Sequence, residues 1–314
     1  MLLLFIPVFS LGQKTIQLKD FSPDYTAKVT YTTTGNYEYE GFIRIFNKKT
    51  NKMLIEVRNE MLILGNASEI ANIAQKPYGE HSLVFYEDFN FDGRKDFAIA
   101  EGRAGCYGSE SYKIFLGTKQ GFKYSQELTD IAEGGCGMFS VDPEDKSIHT
   151  FNKSGWFDKF GYSYRYHNNK PYLYEETSIV ADGLHETLII EKFDPKGKSI
   201  SKEITKYFND DLMEQLGEIK LQNTFRNNKV MTIYTTSDTL GYSFHNEDYF
   251  IELLHEGDFQ YSKEDNTLSF INEDTKYIIH EDKIVIETPS KTHTLNAIPG
   301  KKIGTLKSIA HYNK

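Results

Sequence analysis

The residues best placed to do chemistry stand in one short run, Asp88-Phe-Asn-Phe-Asp-Gly-Arg-Lys-Asp96. Side-chain oxygens fall on Asp88, Asn90, Asp92 and Asp96, positions 1, 3, 5 and 9 of the run. Alternate residues can turn their oxygens toward one hard cation, and Gly93 supplies the sharp backbone turn that a side chain would obstruct. Arg94, at position 7, would add its backbone carbonyl. Three carboxylates crowded into one loop repel each other, and a divalent ion relieves that conflict. Calcium suits the set; magnesium, with its tight octahedral shell, usually keeps several waters. An Asp/Asn/Gly-rich turn holding no ion is the competing reading. An EF-hand would carry a bidentate Glu at position 12, where Ile99 stands, and strand-like segments flank this loop, so Asp96 closes a shorter, hairpin-type loop.

Cys106 and Cys136 are the chain's two cysteines, each in glycine-rich surroundings. In an oxidising compartment they are expected to pair, with two buried thiols as the alternative. A zinc site needs four ligands, and no His accompanies either cysteine at ligand spacing. No nucleophile elbow, phosphate-cradling loop or His-Glu-x-x-His run occurs, and the histidines are scattered, so no enzymatic activity is expected. Glu101 and Glu110 flank a glycine-rich stretch in the manner of a glycosidase carboxylate pair, but acids are abundant throughout. His149 and His167 read as surface or packing residues.

These residues need elements to position them. Tyr and Phe number 21 and 22 against one Trp, and the aromatic share is 14%, a composition that fits pleated sheets better than helices. Tyr25–Tyr31 alternates like a strand, and Gly41–Phe46 with Lys52–Val57 flanks a turn at Asn47–Asn51, which predicts a hairpin. Further strands are expected at His81–Tyr86, Phe97–Ala100, Tyr112–Leu116, Met138–Val141, Ser147–Phe151, Tyr162–Tyr166 and Tyr172–Glu176. Ala67–Lys76 is a candidate short helix. Spacings near ten residues suggest an N-terminal antiparallel domain, propeller-like or sandwich, carrying the calcium hairpin loop. The character changes near Val180–Gly183. Beyond it a short helix capped by Asn209 precedes an antiparallel meander with acidic turns at 263–266, 272–274 and 281–282.

At 314 residues, two domains are expected, 13–178 and 179–314, after an export signal over 1–12. That opening run is uncharged and apolar and ends in small residues, with cleavage expected after Gly12. It is too short to span a bilayer, so the protein is expected to be periplasmic or secreted and not integral to the membrane. The net charge of −9 repels phosphate backbones and excludes nucleic acid as a natural partner.

Residues 83–100, with Ser111–Leu116 and Lys153–Gly155, resemble the FG-GAP-like bacterial periplasmic family, over roughly residues 25–177. The resemblance implies a calcium hairpin loop, a β fold like that of periplasmic lysozyme inhibitors, and a role among immunity proteins against lysozyme-like effectors. In such inhibitors a Ser-Gly loop with a nearby aromatic enters the hydrolase cleft. Ser154-Gly155-Trp156-Phe157 is the matching run, with Trp156 or Phe157 where tyrosine is usual. The expected function is therefore an exported, calcium-stabilised binding protein that inhibits a lysozyme-like peptidoglycan hydrolase. A structural or adhesion module of the cell envelope is the alternative, and a glycan hydrolase a third reading.

Overall fold

Segments in which apolar and polar residues alternate become strands, because successive side chains point to opposite faces of a pleated sheet. The computed structural model describes residues 12–18, 22–33, 39–62, 64, 82–236 and 239–309. The protein is mainly β, with several antiparallel sheets and, among the described residues, no closed barrel. Residues 1–11 of the export segment expected over 1–12, and the helix expected at 67–76, lie outside the described residues.

Strands β1 (Lys14–Leu18), β2 (Tyr25–Thr33), β3 (Tyr39–Asn47) and β4 (Met53–Leu62) form one antiparallel meander. Alternation puts Ala27, Val29 and Tyr31 of β2, Ile43 and Ile45 of β3, and Ile55 and Val57 of β4 into the core. The hairpin expected over 41–57 forms, and Asn47 Oδ1 accepts from the amides of Lys49 and Thr50 to close its turn. A second meander comprises β5 (Val84–Glu87), β6 (Asp96–Gly102), β7 (Ser111–Thr118) and β8 (Gly121–Tyr124). Its strand β6 buries Phe97, Ala98, Ile99 and Ala100 in succession, the unbroken apolar run of a strand covered on both faces.

Helix α1 (Gln126–Glu133) follows and packs against β7. Ser125 caps it by accepting from the Leu128 amide, while Thr129 Oγ1 accepts from the Ile114 amide of β7. Its eight residues carry few apolar positions, Leu128, Ile131 and Ala132, which is too short a pattern to stand out in a β-rich sequence.

A third sheet runs in sequence order through β9 (Ser140–Asp142), β10 (Ser147–Ser154), β11 (Asp158–His167), β12 (Lys170–Asp182), β13 (His185–Phe193) and β14 (Ser199–Phe208). At Val180–Gly183, near the expected domain boundary, β12 runs to Asp182 and turns into β13 through Gly183 at φ 63°. Contacts divide the chain into one unit that reaches Thr177 and includes Glu191–Ser201, and another of Ser178–Ile190 with Lys202 onward. The division cuts β12, β13 and β14, so neither unit is a single contiguous stretch.

In the second unit, α2 (Asp210–Leu216) is capped by Asn209, whose Oδ1 accepts from the Leu212 amide as expected. Strands β15 (Glu218–Thr224), β16 (Val230–Thr235), β17 (Leu240–His245) and β18 (Ile251–Glu256) form a sheet. The expected meander is β19 (Gln260–Ser262), β20 (Thr267–Asn272), β21 (Thr275–Ile279), β22 (Lys283–Glu287) and β23 (Thr292–Asn296). The last strand, β24 (Lys302–Gly304), returns to pair with β15. Among the described residues no helix is long and apolar enough to cross a membrane.

Glu281, in the β21–β22 turn, ties this unit together. Its carboxylate accepts from Lys302 Nζ at 2.7 Å, Thr305 Oγ1 at 2.7 Å, the Leu306 amide at 2.9 Å and Asn266 Nδ2 at 3.2 Å. Burial pushes its carboxyl up, but these donors outweigh it and bring the group to about 2, below the ordinary 4.5. The folded state therefore binds this proton less tightly than the unfolded chain. The stabilisation is full above pH 4.5 and is lost as pH falls toward 2. Glu281→Gln is expected to destabilise the protein by about 1 to 2 kcal/mol at neutral pH. Urea titrations should show that difference closing between pH 4.5 and 2; a gap independent of pH would contradict the assignment.

Candidate functional site

The loop Asp88–Lys95 closes the β5–β6 hairpin, and its own side chains organise it. Asp88 carboxylate oxygens accept from the Asp92 amide at 3.1 Å and the Gly93 amide at 2.8 Å. Asn90 Oδ1 accepts from the same Asp92 amide at 3.2 Å, which brings the Asp88 and Asn90 oxygens around one N–H. Asp92 Oδ1 accepts from the Arg94 amide at 2.9 Å. Phe91 at φ 59° and Gly93 at φ 85° turn the backbone; glycine meets no steric penalty in that left-handed region, whereas phenylalanine must be held there by its neighbours.

Asp96 stands apart from the other three. It is fully buried, with Oδ2 accepting from the Phe89 amide at 2.8 Å and Oδ1 from the Gly117 amide at 2.7 Å. Burial pushes its carboxyl up to about 7, against the two amides that favour its charged form; the charges of Asp88 and Asp92 add to the rise. Gly117 is required at this clamp, because a Cβ there would lie 2.4 Å from the Lys95 carbonyl oxygen.

The oxygens of Asp88, Asn90 and Asp92 are the hard donors calcium takes, and they share one turn. They are not already gathered into a cage: among the described residues no three acidic, histidine or cysteine groups converge as for a metal. Arg94 was expected to offer only its carbonyl. Its guanidinium instead pairs with Asp92 at 2.7 Å and donates to the Gly117 carbonyl at 3.1 Å, relieving part of the repulsion assigned to a cation.

The loop's aromatic residues lead inward to a cleft. Phe89 is buried edge-on against Phe139, its centroid 5.3 Å away, and its carbonyl accepts from the Tyr166 hydroxyl at 3.0 Å. Both phenylalanines line an open cleft of about 810 Å³ in the first unit. Its wall is the expected disulfide: Cys106 and Cys136 are bonded, with their Cα atoms 4.7 Å apart. Such a bond persists in an oxidising compartment. Arg103, Lys153, Glu87 and Glu110 supply charge around the cleft.

At the cleft's edge the β10–β11 hairpin carries Ser154-Gly155-Trp156-Phe157. Register runs to Ser154 opposite Asp158, leaving Gly155, Trp156 and Phe157 as the connection, with Gly155 at φ 66°. Trp156 is 93% exposed. The turn beneath it is anchored, because the Gly155 amide donates to the Tyr107 hydroxyl at 2.6 Å. Lys153 Nζ lies 4.9 Å from the centre of the Tyr107 ring, and Tyr107, Phe151 and Phe157 are themselves exposed.

Of the carboxylates considered as a catalytic pair, Glu101 forms an ion pair with Lys113 at 2.6 Å and does not line the cleft, whereas Glu110 does. His149 sits between the hydroxyls of Ser147 and Ser163, at 2.9 Å from each. Tyr107 and Arg103 have no assigned role in the sequence reading, and Lys153 enters it only through the resemblance over Lys153–Gly155. The disulfide brings Tyr107 across to β10 from far along the chain, and the only local hint is its glycine-rich setting next to Cys106.

No protein-family model matches the chain, and no curated protein does. Among solved structures, a Xanthomonas protein related to the type IV secretion system is similar at 18% identity and TM-score 0.46, covering 62% of this chain and 96% of that one. Prolyl oligopeptidase B from Galerina marginata is similar at 9% identity and TM-score 0.26, covering 91% and 43%. A 6-phosphogluconolactonase-like protein from Bacteroides uniformis gives 10% and 0.23, covering 92% and 84%. Scores this low bear on no residue of the site.

Removing the Asp96 clamp leaves two buried amides without their acceptor. Asp96→Ala is expected to cost about 3 kcal/mol or more. Chemical denaturation should give the same loss with calcium as with a chelator, because the clamp acts within the protein; a loss below about 1 kcal/mol would contradict its role.

Proposed function

We propose that this protein is an exported binding protein that inhibits a lysozyme-like peptidoglycan hydrolase by inserting the tip Ser154-Gly155-Trp156-Phe157 into the enzyme's cleft. The observation that carries the reading is Trp156, an almost wholly exposed indole at the end of a hairpin whose turn is pinned by Tyr107. An exposed large apolar residue on a held backbone forfeits little entropy on binding, and tryptophan and tyrosine dominate the energetic centres of protein interfaces. The resemblance of the sequence to immunity proteins supplies the class of partner. The disulfide accords with function outside the cytoplasm.

Calcium belongs to the same proposal as a stabilising ion. Asp88, Asn90 and Asp92, with the Arg94 carbonyl, would hold it, and Asp92 would exchange the Arg94 guanidinium for the cation. Asp96 would serve as the clamp beneath. The ion's contribution is charge neutralisation in the loop, which supports the cleft through Phe89.

Purified protein is expected to inhibit at least one lysozyme type in peptidoglycan hydrolysis, and Trp156→Ala to weaken that inhibition by about thirtyfold or more. The chain has one tryptophan, so its emission should shift to shorter wavelength on complex formation. Absence of inhibition and of complex formation with every lysozyme type would defeat the reading.

Calcium is expected to raise the melting temperature by a few degrees, equivalent to about 1.4 kcal/mol at tenfold above the dissociation constant. Asp92→Ala should remove that increment. Wild-type melting curves that coincide in calcium and in chelator would refute the ion's role.

A further inference from the structure

We propose that Cys106–Cys136 is a reducible switch that controls the order of the Trp156 hairpin; the functional consequence rests on the binding role proposed for that tip. Two sets of observations carry it.

The first concerns access. Both cysteines line the open cleft rather than the packed core, so an incoming thiolate has a path to a sulfur. Arg103 and Lys153 line the same cleft, and neighbouring cations favour the thiolate that thiol–disulfide exchange releases.

The second concerns coupling. The disulfide joins two short straps, each bonded to the hairpin or to the other. The Cys136 amide donates to the Phe151 carbonyl of β10 at 2.7 Å, and Asn152 Nδ2 donates to the Gly134 carbonyl at 3.1 Å. The Cys106 amide donates to the Gly135 carbonyl, and the next residue, Tyr107, offers the hydroxyl that holds Gly155. Tyr107 occupies the left-handed region at φ 51° and ψ 25°, where a side-chain-bearing residue stays only when its surroundings hold it. Opening the cross-link frees this strap to relax, which withdraws the hydroxyl from the turn beneath Trp156.

The reductant is a dithiol. One of its thiolates attacks a cysteine sulfur, the Cys106–Cys136 bond breaks, and the departing sulfur leaves as a thiolate that takes up a proton. The reductant's second thiolate then attacks the mixed disulfide and expels the other cysteine, which is protonated in turn. Two electrons and two protons pass to the cysteines, and the reductant becomes a disulfide.

The test compares the full chain oxidised, reduced with dithiothreitol, and as the Cys106→Ser/Cys136→Ser double variant. Amide hydrogen exchange and Trp156 fluorescence anisotropy are read. Reduction should speed exchange at the Gly155 and Cys136 amides by about tenfold, the factor one hydrogen bond is worth, and lower the anisotropy. The amides of Val29 and Ile43 in the core should stay protected. The double variant should match the reduced protein. Tyr107→Phe should reproduce the change at Gly155 with the disulfide intact. Unchanged exchange at both amides in reduced protein would overturn the switch. So would a disulfide that yields to dithiothreitol only as the core amides open with it, since that behaviour belongs to a purely structural cross-link. None of these readouts needs a hydrolase, so they stand or fall separately from inhibition, which is measured in its own arm with oxidised and reduced protein.

Discussion

The buried carboxylate of Asp96 is the constraint from which the first unit's surface features follow. A charge-bearing group with no solvent contact is tolerable only where donors are aimed at it, and here the Phe89 and Gly117 amides supply them from two different segments. One side chain thereby holds the entry to the Asp88–Lys95 loop against the end of β7. Phe89 is carried inward by the same contact to meet Phe139 and Tyr166. Tyr166 lies on β11, whose opposite end joins the turn that bears the exposed Trp156.

The proposed binding surface combines a rigid base with an exposed anchor. Sheet hydrogen bonds hold β10 to β11, the disulfide closes the cleft wall beside them, and the Tyr107 hydroxyl stops the turn from fraying. Rigidity of this kind matters for recognition because a side chain already held in place loses less freedom on binding. It also makes the tip sensitive to a bond some distance along the chain, since the residue that pins the turn is the one beside Cys106.

The second unit solves a similar problem in another way. Glu281 also joins segments distant in sequence, but with an ammonium among its donors and partial contact with water, so its carboxyl is held low rather than pushed up. The contrast between Asp96 and Glu281 is one of environment: two neutral amides in a dry interior against a cation and three further donors near the surface.

Read alone, the sequence determined the β-rich class, the hairpin at Asn47–Asn51, the Asn209 helix cap and the C-terminal meander. These rest on local alternation, turn residues and capping, which a short window contains in full. It marked the Asp88–Asp96 loop and the cysteines by residue type and spacing. Tertiary structure decided what those residues face: that Asp96 bridges to Gly117, that Arg94 turns its guanidinium on Asp92, and that Tyr107 reaches Gly155. It also extended β12 through the expected domain boundary and formed α1, whose short apolar stripe gains stability from packing on β7. The physical reason is range. Propensity and periodicity act over a few residues, whereas a buried charge, a cleft wall or a pinned turn depends on partners that folding alone brings together.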